Sequence, residues 1–273
     1  MDIFTEIQQY TDANYYVDVE DKIPIFICSI GAHIMNCLNK CSSCDFDPAN
    51  ITDEEDESFT IPQCPLRHPN PPFYTPMSHI ADTRIHILMR GVKGSGKSIL
   101  VNLFLNEHSG LLWNSNSFNG SGFRTMVGPN SITEAGMFGS VGEEGEIVGR
   151  PIARELCGGF LGFEEFSSLT AAAKKDHSTD MTNQLLTSTD NGRVDKGMKA
   201  GWVKYTTRYS IWAGTQPARF EMESGMDRRF FIIDIEMNPK KELAFKQAQI
   251  KQGKMTIEQR RHLREKAVAI RRF

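Results

Sequence analysis

The stretch that decides the fold reads Ile85-His86-Ile87-Leu88-Met89-Arg90-Gly91-Val92-Lys93-Gly94-Ser95-Gly96-Lys97-Ser98. Residues 85–89 form a short apolar run of the kind found in buried strands, and residues 98–106 read as a helix. Residues 91–98 fit the pattern G-x-x-x-x-G-K-[ST] between these two elements. Glycines let the backbone wrap closely around phosphate oxygens, and the start of a helix presents N–H groups to an anion. The sequence therefore predicts a phosphate-binding loop.

The polar residues of this loop predict the ligands as well. Lys97 is placed to reach the β- and γ-phosphates of a nucleoside triphosphate, and Ser98 to hold Mg²⁺. We therefore expect ATP and Mg²⁺ as ligands. The residues predicted to form the phosphate cradle are Gly91, Gly94, Ser95, Gly96 and Lys97.

An acidic pair follows the next apolar strand. The predicted strand at 158–163 is followed directly by Glu164-Glu165, about 70 residues beyond the loop. An acid at such a strand end can enter the Mg²⁺ coordination shell, and its neighbour can polarise a water for attack on the γ-phosphate. We assign the first role to Glu164 and the second to Glu165. Asp is the usual first acid, and Glu164 is longer by one methylene; such a pair can also be a helix cap.

The chain pattern predicts an α/β fold with a largely parallel sheet. Apolar runs recur at 159–163, 209–213 and 230–235, separated by segments of helix length. From Pro239 the composition is helical, with an interruption near Gly253. We expect three regions: a small N-terminal region at 1–75, a core at 76–238, and a basic helical lid or tail at 239–273.

Composition and charge limit the class of protein. Hydrophobic residues make up 40% and charged residues 24% of the chain, which is ordinary for a globular protein. The sequence has no 18-residue apolar window and begins with acids rather than a basic signal region, so we expect a cytoplasmic protein without a membrane partner. The region 1–75 carries three Lys/Arg against 13 Asp/Glu, whereas 240–273 carries 11 against three. A basic tail of this kind can contact nucleic acid or simply be a solvated helix face.

A cysteine cluster in the N-terminal region has the spacing of a metal site. The pattern C-x2-C-x19-C-x3-H can form a tetrahedral Zn²⁺ site, with Cys37 as a spare thiolate. The alternative is a set of ordinary reduced thiols in a loop. Cys28 follows an apolar run and is expected to be buried, and Cys157 to be structural. The predicted zinc ligands are Cys41, Cys44, Cys64 and His68.

Further motifs resemble those of the AAA+ ATPases, and within them the minichromosome maintenance (MCM) replicative helicases. Residues 145–153, then Gly158-Gly159 before the acids, resemble that family's block ending G-G-[hydrophobic]-D-E-F, which here ends Glu164-Glu165-Phe166. The resemblance covers roughly residues 84–237. It implies a three-layer αβα core with a mostly parallel sheet, a short helical lid and a homo-oligomeric ring, most often a hexamer.

The same resemblance assigns roles to residues outside the phosphate loop. The segment 209–217 resembles sensor 1, with Gln216 where Asn is usual and Thr215 as a close alternative. The segment 227–231 resembles the one that carries the arginine finger, which makes Arg229 the matching residue; its alternative role is a surface salt bridge. Residues 191–201 resemble the hairpin that sends a lysine toward DNA phosphates. The lysines considered for this contact are Lys199, with Lys196 and Lys204 as lesser candidates.

The resemblance implies an ATP-hydrolysing motor, most like a DNA helicase or translocase acting as a ring in replication. Two other functions remain open. A remodeller of proteins or a metal chelatase would fit the segment Met137-Phe138-Gly139, because an aromatic residue beside a glycine can grip polypeptide. A non-translocating ATP switch, such as a replication initiator or loader, would fit the small size and the atypical Glu164 and Gln216.

Overall fold

The computed structural model shows an α/β protein built on a parallel sheet. The described residues are 2–41, 84–107, 109–112, 123–129, 132–142, 147–167, 179–217 and 228–270. Within them the helices are α1 (Ile3–Ala13), α2 (Ile23–Cys41), α3 (Lys97–Leu105), α4 (Glu134–Phe138), α5 (Ile152–Glu155), α6 (Thr179–Asn191), α7 (Pro239–Gly253) and α8 (Ile257–Ile270). The strands are β1 (His86–Gly91), β2 (Thr125–Val127), β3 (Ser140–Val141), β4 (Ile147–Val148), β5 (Phe160–Phe163), β6 (Arg193–Met198), β7 (Gly201–Thr206), β8 (Ser210–Thr215) and β9 (Phe230–Ile235).

The central sheet has the strand order β2-β5-β8-β1-β9, and all of its pairings are parallel. The four apolar runs singled out in the sequence are β1, β5, β8 and β9, so their assignment as strands is confirmed. β1 lies between β8 and β9, and its register pairs Leu88 with both Ala213 and Ile232. Because the strands are parallel, the loops that follow β1, β5 and β8 emerge at one edge of the sheet.

Helices cover both faces of the sheet, as a parallel sheet requires. On one face, Ile87, Met89 and Trp212 pack in a cluster with residues of α1, α2, α3 and α8. On the other face, Leu88 and Ile211 pack with residues of α4, α6 and the β6–β7 hairpin. Successive residues of β1 thus point into different clusters, which is the alternation expected of a strand covered on both sides.

The N-terminal helices belong to the core that we expected to begin at residue 76. The Phe26 ring of α2 is fully buried; it stacks on Phe104 of α3 at 5.0 Å and meets Trp212 of β8 edge-on at 4.7 Å. Ser29 donates to the Ile85 carbonyl at 2.6 Å and accepts from the Trp212 indole at 2.9 Å. The acidic and proline-rich composition of 1–75 suggested a separate region, but α1 and α2 contribute side chains to the hydrophobic cluster on one face of the sheet.

We expect Phe26→Ala to destabilise the protein by about 3–5 kcal/mol, the usual cost of truncating a buried phenylalanine. The matched control is Phe4→Ala in α1, where the side chain is 43% exposed and the expected cost is about 1 kcal/mol or less. Urea unfolding monitored by far-UV circular dichroism measures both. Equal midpoints for the two variants would show that α2 does not contribute to the core.

The C-terminal region confirms the expected pair of helices. Asn238 caps α7 by accepting from the Lys241 amide, and the chain leaves helical geometry at residues 254–256 before α8 begins. Lys241 forms an ion pair with Asp18 at 2.9 Å, and Gln252 donates to the Asn14 carbonyl at 2.6 Å. The two ends of the described chain are therefore joined to each other beside the sheet.

Two smaller observations concern the membrane and the cysteines. None of the helices in the described ranges combines the length and the apolar character needed to cross a bilayer. Cys157, expected to be structural, is buried, whereas Cys28 is exposed, because it lies on the face of α2 that points away from the sheet. The expectation of a buried Cys28 was wrong; an apolar run in a helix still has one outward face.

Candidate functional site

The predicted phosphate loop lies between β1 and α3, and its conformation depends on glycine. Gly94 and Gly96 have φ values of 83° and 90°, in the region that favours glycine, and Gly96 is the residue that caps α3. At Gly91 a Cβ atom would lie 2.7 Å from both the Ile235 carbonyl oxygen and the Ser95 hydroxyl. A side chain at Gly91 would therefore push the loop away from the end of β9.

Lys97 is held against the loop that precedes it. Its ammonium donates to the carbonyls of Gly91 at 2.7 Å and Val92 at 2.8 Å, and lies 3.3 Å from the Ser95 hydroxyl. The side chain is buried, and desolvation lowers its pKa, while the Glu165 carboxylate opposes that effect to a smaller degree. A cation fixed at the start of a helix beside backbone N–H groups is suited to a polyphosphate.

Glu164 is linked to the start of α3 through Asn102. The Asn102 amide donates to Glu164 Oε1 at 2.8 Å and to the Ser98 carbonyl at 2.8 Å, which joins the acid after β5 to the first turn of α3. The Glu164 side chain is otherwise exposed. A serine hydroxyl and a carboxylate are oxygen donors of the type that Mg²⁺ prefers, so Ser98 and Glu164 fit a magnesium site completed by phosphates. Asn102 had no predicted role, since nothing in the local sequence marks a helical asparagine as a bridge to the acid after β5.

Glu165 and Gln216 contact each other directly. The Gln216 amide donates to Glu165 Oε2 at 3.1 Å, and the Ser167 hydroxyl donates to Oε1 at 3.0 Å. The contact links the loop after β5 with the loop after β8, and Glu165 also acts electrostatically on Lys97. The three residues predicted to contact the phosphates and the attacking water thus meet at one edge of the sheet.

The alternation along β8 favours Gln216 over Thr215 for this position. Gly214 faces α3, because a Cβ there would lie 3.1 Å from Lys97 Cβ and 2.7 Å from the Glu164 carbonyl. Thr215 is the next residue and points to the opposite face, where it is 1% exposed. Gly214 was not identified from the sequence; its lack of a side chain is what allows Glu164 and Lys97 to approach β8.

A cleft of about 1200 Å³ opens beside the phosphate loop. It lies between α1, α3 and the C-terminal helices α7 and α8, and Ser98 and Asn102 form part of its wall. The other lining residues used below are Tyr10, Tyr16, Arg260 and Arg264. The cleft is therefore continuous with the predicted magnesium ligand Ser98.

Arg229 lies far from the phosphate loop of its own chain. Phe230 pairs with His86 and Ile235 with Gly91, so Arg229 precedes the opposite end of β9, ~17 Å away along the strand. Its guanidinium forms an ion pair with Asp190 at the end of α6. The salt-bridge role left open for Arg229 is therefore present in the isolated chain, and the neighbouring Arg228 is exposed.

The predicted hairpin is formed by β6 and β7, and Lys199 lies in the exposed turn that joins them. Lys204 lies on the same hairpin with its side chain 59% exposed. Lys196 differs, because its ammonium is 2.5 Å from Glu134 of α4 and its side chain is only 11% exposed. The structure therefore leaves Lys199 and Lys204 accessible and pairs Lys196 inside the chain, so Lys196 is a poor candidate for contact with DNA.

The aromatic residue proposed for gripping polypeptide is buried. Met137 and Phe138 are both 0% exposed, and the Tyr205 hydroxyl donates to the Phe138 carbonyl at 3.0 Å. The segment closes the short helix α4 against the hairpin. It offers no exposed aromatic side chain for a polypeptide.

The predicted zinc site falls largely outside the described residues. Cys41 is the last residue of α2, and Cys44, Cys64 and His68 lie in the range 42–83. Among the described residues there is no cluster of three or more His, Cys, Asp and Glu side chains that could hold a metal. The zinc site stays a prediction.

Comparison with known proteins adds no assignment. No protein-family model matches the chain, and a search of curated proteins finds no similar protein.

Proposed function

We propose that this chain is an ATP-hydrolysing motor of the AAA+ type, with ATP and Mg²⁺ as ligands, that acts as a ring on DNA. The observation that carries the proposal is the convergence of Lys97, Glu165 and Gln216 at one edge of a parallel sheet. Each residue follows a different strand, and β1, β8 and β5 are neighbours in that order. Ligands of open α/β sheets bind outside the carboxyl ends of the strands, which is where these residues lie.

The geometry supports a division of labour in hydrolysis. Lys97 would leave its loop carbonyls to neutralise the β- and γ-phosphates, while N–H groups of the loop and α3 cradle them. Ser98 and Glu164 would hold Mg²⁺, which neutralises charge on the phosphate oxygens. Glu165 would accept a proton from the attacking water, and Gln216, hydrogen-bonded to Glu165, would orient that water.

The cleft beside Ser98 has room for the rest of the nucleotide. Two tyrosines and two arginines line it: Tyr10, Tyr16, Arg260 and Arg264. Aromatic rings and guanidinium groups suit the flat base and the polar sugar of a nucleotide. Because α1 and α8 both contribute, nucleotide binding would connect the N-terminal helices to the C-terminal pair.

Two features favour a ring that acts on DNA. Arg229 lies too far from its own phosphate loop to complete that site, so a role in hydrolysis requires a neighbouring subunit. The hairpin projects Lys199 into solvent, where several subunits can present it to one strand. The buried Phe138 removes the feature that favoured a polypeptide remodeller.

The deciding experiment measures ATP hydrolysis with and without single-stranded DNA, at two protein concentrations. We expect the rate per subunit to rise with concentration, because subunits must meet, and to rise again with DNA. Stimulation by unfolded polypeptide instead of DNA would favour a remodeller. Tight ATP binding with almost no turnover under all conditions would favour a non-translocating switch.

A further inference from the structure

We infer that the exposed face of the β6–β7 hairpin is a base-stacking platform for single-stranded nucleic acid, with Trp202 as the residue that contacts the bases. The inference rests on the proposed function and adds a contact that reads bases rather than phosphates. Trp202 is 64% exposed, although tryptophan is usually largely buried. Its exposure follows from the strand pattern, because Val203, the next residue, is 0% exposed and anchors the opposite face of the hairpin.

The hairpin holds the indole in place without covering it. Trp202 pairs across the hairpin with Gly197, and a Cβ at Gly197 would lie 3.1 Å from the six-membered ring. A side chain at that position would displace the ring, so the glycine allows the indole to rest on the neighbouring strand. Met198, at the end of β6, is 37% exposed beside the turn.

The surroundings of the ring are cationic, which favours nucleic acid over an apolar partner. Lys204 Nζ lies over the Trp202 ring, 4.8 Å from its centroid, and Lys199 is in the adjoining turn. Asp195, opposite Lys204 in the hairpin, is its acidic neighbour at 3.8 Å. An exposed aromatic ring between lysines is the combination that binds single strands, because bases stack on the ring while ammonium groups meet phosphates.

The platform predicts two separable contributions to binding. Stacking on Trp202 requires a base and is insensitive to salt, whereas Lys199 contacts phosphates and contributes to the salt dependence. Trp202→Leu should weaken binding of oligothymidylate about tenfold without changing its salt dependence. Lys199→Ala should weaken binding and make the salt dependence shallower. Trp202→Phe retains a ring and should restore most of the affinity.

The test titrates the full-length protein, with ATP and Mg²⁺, against oligothymidylate and against an abasic deoxyribose-phosphate oligomer of the same length. We expect the wild type to prefer oligothymidylate, and Trp202→Leu to bind both oligomers equally. ATP hydrolysis without DNA should be the same in the wild type and in Trp202→Leu, since the hairpin face is not part of the phosphate site.

The outcomes separate this inference from the function on which it rests. If Trp202→Leu binds oligothymidylate as tightly as the wild type while Lys199→Ala binds more weakly, the platform is wrong and the DNA motor stands. If the wild type binds neither oligomer, the DNA motor fails and the platform fails with it. If Trp202→Leu instead reduces the oligomer size in sedimentation and lowers the DNA-free rate, Trp202 is a subunit contact and the platform is overturned.

Discussion

Glu165→Gln is expected to reduce the rate of ATP hydrolysis at least a hundredfold while ATP binding is retained. The substitution keeps the size of the side chain and its hydrogen bond to Ser167, but removes the carboxylate that would accept a proton from water. Positioned general bases contribute about 10²–10⁴-fold to rates, so the loss should fall in that range. Phosphate release in single- and multiple-turnover assays, together with equilibrium binding of a fluorescent ATP analogue, measures both quantities.

The comparison with Lys97→Ala makes the test sharper. Lys97 lies against the phosphate loop, and its loss should weaken ATP binding itself, because the substitution removes the ammonium held beside the start of α3. The two variants should therefore fail at different steps, one at chemistry and the other at binding. Hydrolysis by Glu165→Gln at the wild-type rate would show that another group activates the water.

Four of the five strands of the central sheet were predictable because their signals are local, whereas the short strand β2 was not predicted. The runs that form β1, β5, β8 and β9 are short, apolar and bounded by turn residues. A parallel strand covered on both faces is apolar along its whole length, so it can be recognised without knowing which strands lie beside it. The turn between β1 and α3 was predictable for the same reason, since its glycines and Lys97 lie within eight consecutive residues. Convergence of Glu165 with Lys97 followed from placing both after strands of one sheet.

What the sequence did not reveal depends on contacts between distant residues. The acidic composition of 1–75 says nothing of the buried Phe26, whose partners Phe104 and Trp212 come from two other elements. The ion pair with Glu134 makes Lys196 a poor candidate for contact with DNA, although nothing in the sequence distinguishes Lys196 from Lys204. The burial of Phe138 likewise depends on the hairpin that packs over it.

Arg229→Ala is expected to reduce the rate of hydrolysis by a factor of about 10³ without weakening ATP binding, if its guanidinium completes the site of a neighbouring subunit. The geometry excludes a role in its own site, because β9 separates Arg229 from Gly91 by the full length of the strand. The role of Arg229 in a neighbouring site is therefore tested by the rate of hydrolysis in mixtures of variant subunits. Arg229→Ala mixed with Glu165→Gln at constant total protein should recover activity that neither variant has alone, because a Glu165→Gln subunit still supplies its guanidinium to the intact site of an Arg229→Ala neighbour.

The ion pair with Asp190 provides a matched set of controls. In the isolated chain this carboxylate competes for Arg229, so Asp190→Asn should leave the arginine more available and should not lower the rate. Arg228→Ala removes the adjacent exposed arginine and should leave the rate close to that of the wild type. If Arg228→Ala abolishes hydrolysis while Arg229→Ala does not, the exposed residue is the finger and Arg229 is a structural partner of α6. If the mixture of Arg229→Ala and Glu165→Gln recovers no activity, Arg229 does not complete the site of a neighbouring subunit.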